Sequence, residues 1–183
     1  MVSFQFDSFA NTSNALVAGK VVAIASLGIY AGTALSFSTI IMPSLRKFSS
    51  NSSVAIWHEA FKAGNYVQTS AIAVSVLGNA GLYYKTKNPS YLYSAVIMAL
   101  SVPYTFIAVM PVNKKLVAIR EENTIHGKSN TMKDPKSNDN VAEALLSRWS
   151  LLHAVRTAMG YGALLATVYG VISDRGVRFI LFK

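Results

Sequence analysis

The sequence predicts an all-α protein, an integral membrane four-helix bundle forming one domain over residues 1–183. Three observations predict it. Only 14% of the residues are charged, whereas a soluble domain carries about a quarter. The charges cluster and leave four long, nearly uncharged runs. Lys and Arg flank those runs, as anchors at lipid headgroups do.

The first run, about 21–42, is uncharged from Lys20 to Arg46, and about 20 apolar residues cross the hydrocarbon. Pro43 is expected to end it, because proline disfavours helix in the residue before it. A polar connector follows from Ser44 to about Gly64, holding Arg46, Lys47, Trp57, His58, Glu59 and Lys62. From Ser53 onward it reads as an amphipathic helix leading into the second span, about 66–84.

Lys85 and Lys87 bracket a turn at Asn88-Pro89-Ser90. The third span, about 91–110, contains Pro103, where a kink is expected; a membrane helix tolerates proline because neighbours satisfy the freed carbonyl. A polar loop is expected over about 114–139, with its middle, His126 to Asp139, aperiodic and mobile. Asn140 reads as an N-cap, with Glu143 completing a capping box.

The fourth helix runs from Asn140 to about Ile172, with its span at about 150–172. Its roughly 32 residues reach near 48 Å, and the hydrocarbon needs about 30 Å. Its first turns are therefore expected outside the membrane.

Four spans place both termini on one side. Most basic residues border the two longer connectors, which assigns those connectors to the cytosol. The N-terminal stretch holds Asp7 and no basic region before an apolar run. The first span is therefore expected to remain as an anchor, in an endomembrane such as the endoplasmic reticulum.

Composition also excludes function classes. The chain has no cysteine, so it has no disulfide and no thiolate nucleophile or ligand. Three His and eight acids supply a protein metal site poorly, and no metal is expected. The net charge of +9 flanks apolar runs and forms no basic patch with interleaved aromatics, so no nucleic-acid partner is expected. There is no Walker loop and no dinucleotide fingerprint.

The informative residues are the polar ones inside apolar runs. Gly28, Gly32 and Ser36 recur every fourth residue of the first span. This stripe reads as close helix packing, with a ligand-facing Ser36 as the alternative. On the fourth helix Trp149, His153, Arg156, Gly160, Ala163 and Thr167 fall within about 80° of arc and share one face. Small residues on that face direct it inward.

Arg156 then lies just inside the membrane boundary, where an ionisable residue is costly and marks function. Snorkelling to the headgroups is the bland alternative. Asn113, at the exit of the third span, lies at the same membrane level and reads either as a cap or as a site residue. Trp57, just before the second span, reads either as an interfacial aromatic or as part of the same cup. Asn79 and Ser75 read as interhelical hydrogen bonds.

These residues carry a resemblance. The Gly-rich first helix, the Trp57…Gly64 segment, the exit Met110-Pro111-Val112-Asn113-Lys114-Lys115-Leu116 and the run Arg148-Trp149…His153…Arg156 resemble the DUF1772 family. That family includes the fungal anthrone oxygenases. The resemblance covers about residues 20–175. Its Pro-x-Asn and Trp-x3-His-x2-Arg motifs are specific to the family and not to the anthrone activity.

The resemblance implies a monooxygenase of polyketide secondary metabolism that oxidises an anthrone to a quinone with dioxygen and needs no cofactor. An apolar aromatic small molecule, dioxygen and the lipid bilayer are the implied partners. His153 would then be the base and Arg156 the stabiliser of the developing oxyanion. Asn113 would hold the carbonyl, Trp149 and Trp57 would stack on the flat rings, and Ser36 would line the slot. The competing expectation is a non-catalytic four-span protein of the same family, either an assembly or scaffold factor or a binder of a small apolar ligand. A transporter is a third reading. A homo-oligomer is compatible with all three.

Overall fold

The computed structural model describes residues 12–126 and 135–174, and among these every long element is helical. The order is α1 (Thr12–Ser36), a π-turn (Phe37–Ile41), α2 (Met42–Leu45), α3 (Ser50–Thr86), α4 (Pro89–Tyr104), a second π-turn (Thr105–Val109), α5 (Met110–His126) and α6 (Pro135–Ser173). They make four rods. α1 packs against α3 and α6, and α4 packs against the same two on the other side. The result is an all-α membrane four-helix bundle.

The outward faces are apolar. Leu77, Ile107, Leu165 and Ile172 are all exposed, an arrangement that suits lipid and would be an aggregation hazard in water. Three stretches, Asn14–Leu45, Pro89–Thr124 and Asn140–Ser173, are long and apolar enough to cross a membrane. The expected second span, 66–84, does not meet that measure. Its polar residues explain why: Gln68, Ser75 and Asn79 are buried against the other helices. Its outward residues, Val74 and Leu77 among them, are as apolar as those of its neighbours.

Thr167 links polar groups of three rods in the middle of the bundle. The Thr167 hydroxyl lies 2.8 Å from both Asn79 Oδ1 and Ser94 Oγ. With one proton it donates to Asn79 and accepts from Ser94. Asn79 thus makes the interhelical bond expected of it, while Ser75 bonds its own helix at the Ile72 carbonyl.

The end carrying the short turn is also tied down. Lys87 adopts left-handed φ of 58°, and Asn88 Oδ1 caps the Ser90 N–H with Pro89 in the first turn of α4. Asn88 Nδ2 also donates to the Gly170 carbonyl. Lys20 pairs with Asp174 at 2.7 Å, joining α1 to the end of α6.

Several boundaries differ from expectation. Pro43 does not end the first rod. The π-turn before it widens the helix, and the Met42 N–H bonds back five residues to the Phe37 carbonyl. That moves the carbonyl a proline ring would otherwise strike. Just after Pro103 the helix widens into the second π-turn, closed by the Met110 N–H on the Thr105 carbonyl.

The first π-turn re-phases the inward face. Buried positions on the first rod run Tyr30, Ala34, Phe37, Met42, Leu45, so the step across the turn is five residues instead of three or four.

The connector from Ser53 is continuous with the second rod, which starts at Ser50. The loop expected from Lys114 does not begin there, because α5 continues to His126. Residues 127–134, the centre of the expected mobile stretch, lie outside the described residues. Asn140 is not an N-cap: α6 already runs from Pro135. Gly28 and Gly32 pack against nothing, and both lie on the outward face.

The stripe read on the fourth helix does point inward along its whole length. Trp149, His153, Arg156, Gly160, Ala163 and Thr167 are all buried. Gly160 is required there, since a Cβ would lie 2.6 Å from the Tyr30 ring.

Candidate functional site

The long-connector end of the bundle holds an aromatic cluster from three rods. Trp57 and Phe61 stack at 5.3 Å on α3. Trp57 meets Trp149 of α6 edge to face at 5.7 Å. Trp149 stacks on His153, one turn later, at 4.7 Å and 8°. The first π-turn adds Phe37, whose ring meets His153 edge-on at 5.3 Å and Trp149 at 5.7 Å.

His153 is 2% exposed and Arg156 is 6% exposed. Neither imidazole nitrogen has a hydrogen-bond partner among the described residues, and neither does Arg156 Nε. The Ala34 carbonyl approaches the His153 ring without reaching hydrogen-bond geometry. The Arg156 guanidinium sits over the Tyr30 ring, 6.0 Å from its centre. Arg156 therefore does not snorkel; it is held inside the bundle with aromatic contact and no carboxylate partner among the described residues.

A buried cation beside a buried base, with both His153 ring nitrogens and Arg156 Nε lacking a hydrogen-bond partner among the described residues, is costly to fold and is the kind of pair that function retains.

The two residues open on a small cavity of about 10 Å³, lined also by Phe37, Phe61, Gly64, Asn65, Gln68 and Trp149. That is room for one water at most. Larger hollows exist, one of about 100 Å³ beside Arg46 and Glu143 and one of about 180 Å³ beside Lys115 and Arg148. A third, of about 280 Å³, lies beside Lys85. The charged residues lining these three, Arg46, Glu143, Lys115, Arg148 and Lys85, are all exposed, so the small cavity with its buried ionisable pair remains the candidate. Among the described residues no three His, Cys, Asp or Glu side chains come together at metal-binding spacing.

The expected site residues divide. Trp149, His153 and Arg156 share the cavity. Trp57 is fully buried one layer behind it, inside the aromatic cluster and away from any headgroup belt. Asn113 does not face the cavity: its Oδ1 accepts the Trp149 indole N–H at 2.7 Å. This bond holds Trp149 in place. Asn113 Nδ2, the atom able to donate to a carbonyl, is buried without a partner among the described residues, but Asn113 is not part of the cavity lining. Ser36 does not join the site either, because its hydroxyl donates to the Thr33 carbonyl on its own helix.

Residues not singled out from the sequence complete the lining: Phe37, Phe61, Gly64, Asn65 and Gln68. Gln68 is 3% exposed and brings the amide to the cavity that Asn113 does not. The signal was present. Trp57, Phe61, Gly64 and Gln68 step by 4, 3 and 4 residues, the same inward stripe as on α6, but it crosses the boundary expected between connector and span.

No curated protein and no solved structure gives a significant match to the chain. A family model described as anthrone oxygenase does match, over residues 57–166. The matched region holds Gly64, Gln68, Asn113, Trp149, His153 and Arg156, and it covers more than half of the sequence: this chain belongs to the anthrone oxygenase family.

Proposed function

We propose that this chain is a cofactor-independent oxygenase that converts an anthrone-like polyketide to a quinone. In this reading α3 crosses an endomembrane together with the other three rods. The observation that carries the proposal is the buried pair His153 and Arg156 at one cavity, with neither His153 ring nitrogen nor Arg156 Nε hydrogen-bonded among the described residues.

An anthrone has an acidic methylene between two aromatic rings, conjugated to a carbonyl. Removing one proton gives an electron-rich anion able to reduce dioxygen, so the protein need supply a base, an anion stabiliser and an apolar slot. His153 takes the methylene proton. Arg156 stabilises the negative charge that develops on the carbonyl oxygen. Gln68 is the amide placed to orient that oxygen, in place of Asn113. Trp149 offers a flat face for stacking.

The anion passes one electron to dioxygen, and the resulting radicals combine at the former methylene carbon. The proton held by His153 goes to the peroxide. Loss of the remaining C–H proton, with cleavage of the O–O bond, releases water and leaves the second carbonyl. One anthrone and one dioxygen give one anthraquinone and one water.

Oxygen uptake and quinone absorbance of the purified protein with an anthrone test this reading. A rate no greater than the spontaneous one overturns it. Full activity in both His153→Ala and Arg156→Ala overturns the roles given to those residues. Stoichiometric metal in active protein overturns the cofactor-free part.

A second reading, a binder of an apolar ligand without turnover, is favoured by the small size of the cavity, about 10 Å³. Tight binding of planar aromatics with no oxygen uptake would select it.

A further inference from the structure

A water-sized cavity cannot accept a three-ring molecule, so a side chain must leave before any such ligand reaches His153. We propose that Phe37 is that side chain: its ring occupies the ligand slot in the empty protein, and Phe37 with Gly64 decides which ring systems enter. The inference rests on the reading of this cavity as the substrate site.

Three features place Phe37 in the slot. Its ring already makes the contacts that a flat aromatic ligand would make, edge-on to His153 at 5.3 Å and tilted against Trp149 at 5.7 Å. The space it fills exists because residue 64 is glycine: a Cβ there would lie 2.6 and 2.9 Å from two Phe37 ring carbons. With the ring in place, only about 10 Å³ is left between it and the His153–Arg156 pair.

The backbone gives the ring freedom to move. Phe37 opens the π-turn Phe37–Ile41, where a five-residue hydrogen bond replaces the regular ladder. π-Turns inside helices are weaker and recur at functional sites. Moving the extra residue along the helix by one position would rotate Phe37 by about 100° around the axis. Thr39 and Ile40 on the same turn are exposed on the lipid side, so the slot would open laterally toward the bilayer, where an apolar substrate dissolves.

The experiment is an anthraquinone titration followed by tryptophan quenching. The chain's two tryptophans, Trp57 and Trp149, both lie in the cluster beside Phe37. A slot occupied by Phe37 most of the time weakens apparent affinity by the closed fraction, so Phe37→Ala should bind about tenfold more tightly or better. Toluene should compete in Phe37→Ala and not in the native protein, because truncation leaves a ring-sized apolar void.

Equal or weaker binding by a folded Phe37→Ala protein overturns the role of Phe37 alone. No binding by either protein overturns the reading of the cavity as well. If Phe37→Ala does not fold, Phe37→Cys provides a single thiol in a cysteine-free chain. Its labelling by a maleimide should slow when anthraquinone fills the slot vacated by the ring, and an unchanged or faster rate overturns the proposal.

Discussion

The indole N–H of Trp149 donates to Asn113 Oδ1 at 2.7 Å, with both side chains buried. This bond ties α5 to α6 beside the candidate base, because the Trp149 ring stacks on that of His153. Asn113→Leu leaves the indole N–H buried without an acceptor and should cost about 1–3 kcal/mol. In a thermal-unfolding double-mutant cycle, Trp149→Phe should remove most of that cost. Strictly additive effects would show that the bond contributes nothing.

Arg156 should trade stability for activity. Its guanidinium is buried with no acidic partner among the described residues, so a neutral residue of similar volume relieves a desolvation cost. Arg156→Met should raise stability by about 1 kcal/mol, or ~2–4 °C in Tm. In the same protein quinone formation should fall by about 10²–10³. A lower Tm would mean that the cation is held by interactions that stabilise it.

Gln68 and Asn113 should separate in kinetics. Gln68 lines the cavity and Asn113 does not. Gln68→Leu should lower kcat by about 10²-fold with little change in Tm, as expected for loss of an oxyanion donor. Asn113→Leu should act mainly through stability. The reverse pattern in steady-state rates and melting curves would return the carbonyl-binding role to Asn113.

Gly160→Ala should destabilise the middle of the bundle by about 1–3 kcal/mol, since the added methyl meets the Tyr30 ring at 2.6 Å. Tyr30→Leu in the same chain should recover part of the loss. Gly162→Ala, where a Cβ meets nothing, is the control and should be neutral or stabilising.

His58 gives a pH dependence outside the membrane. Burial, and next the Arg120 guanidinium, hold its pKa below the ordinary 6.5. The folded state thus takes up its proton at lower pH than the unfolded chain does. The stability His58 contributes is full above about pH 6.5 and declines as pH falls from there through the folded pKa. His58→Gln should flatten that acid limb in melting temperatures measured between pH 7 and 5. An unchanged limb would assign it to other groups.

Much of this architecture is legible in composition and periodicity. Uncharged runs bounded by Lys and Arg mark the rods, because lipid penalises charge along a whole segment and so writes a long, one-dimensional signal. The inward face of α6 is equally legible: a face that must meet other helices closely carries small residues at helical spacing, and Trp149 through Thr167 do. His153 and Arg156 stand out because they are ionisable residues on that face.

What the tertiary structure alone decided is partnership and phase. Asn113 looks like a substrate ligand, yet it lies outside the cavity lining and its oxygen accepts the Trp149 indole N–H. Gly28, Gly32 and Ser36 have the spacing of a packing stripe, yet the glycines face outward and Ser36 bonds its own helix. Phe37 and Met42 share a face only because a π-turn adds one residue between them, and Phe37 reaches His153 only because Gly64, on another rod, leaves room for its ring. Hydropathy and periodicity record what each position needs from its surroundings; which side chain meets that need is settled by contacts between rods far apart in the chain.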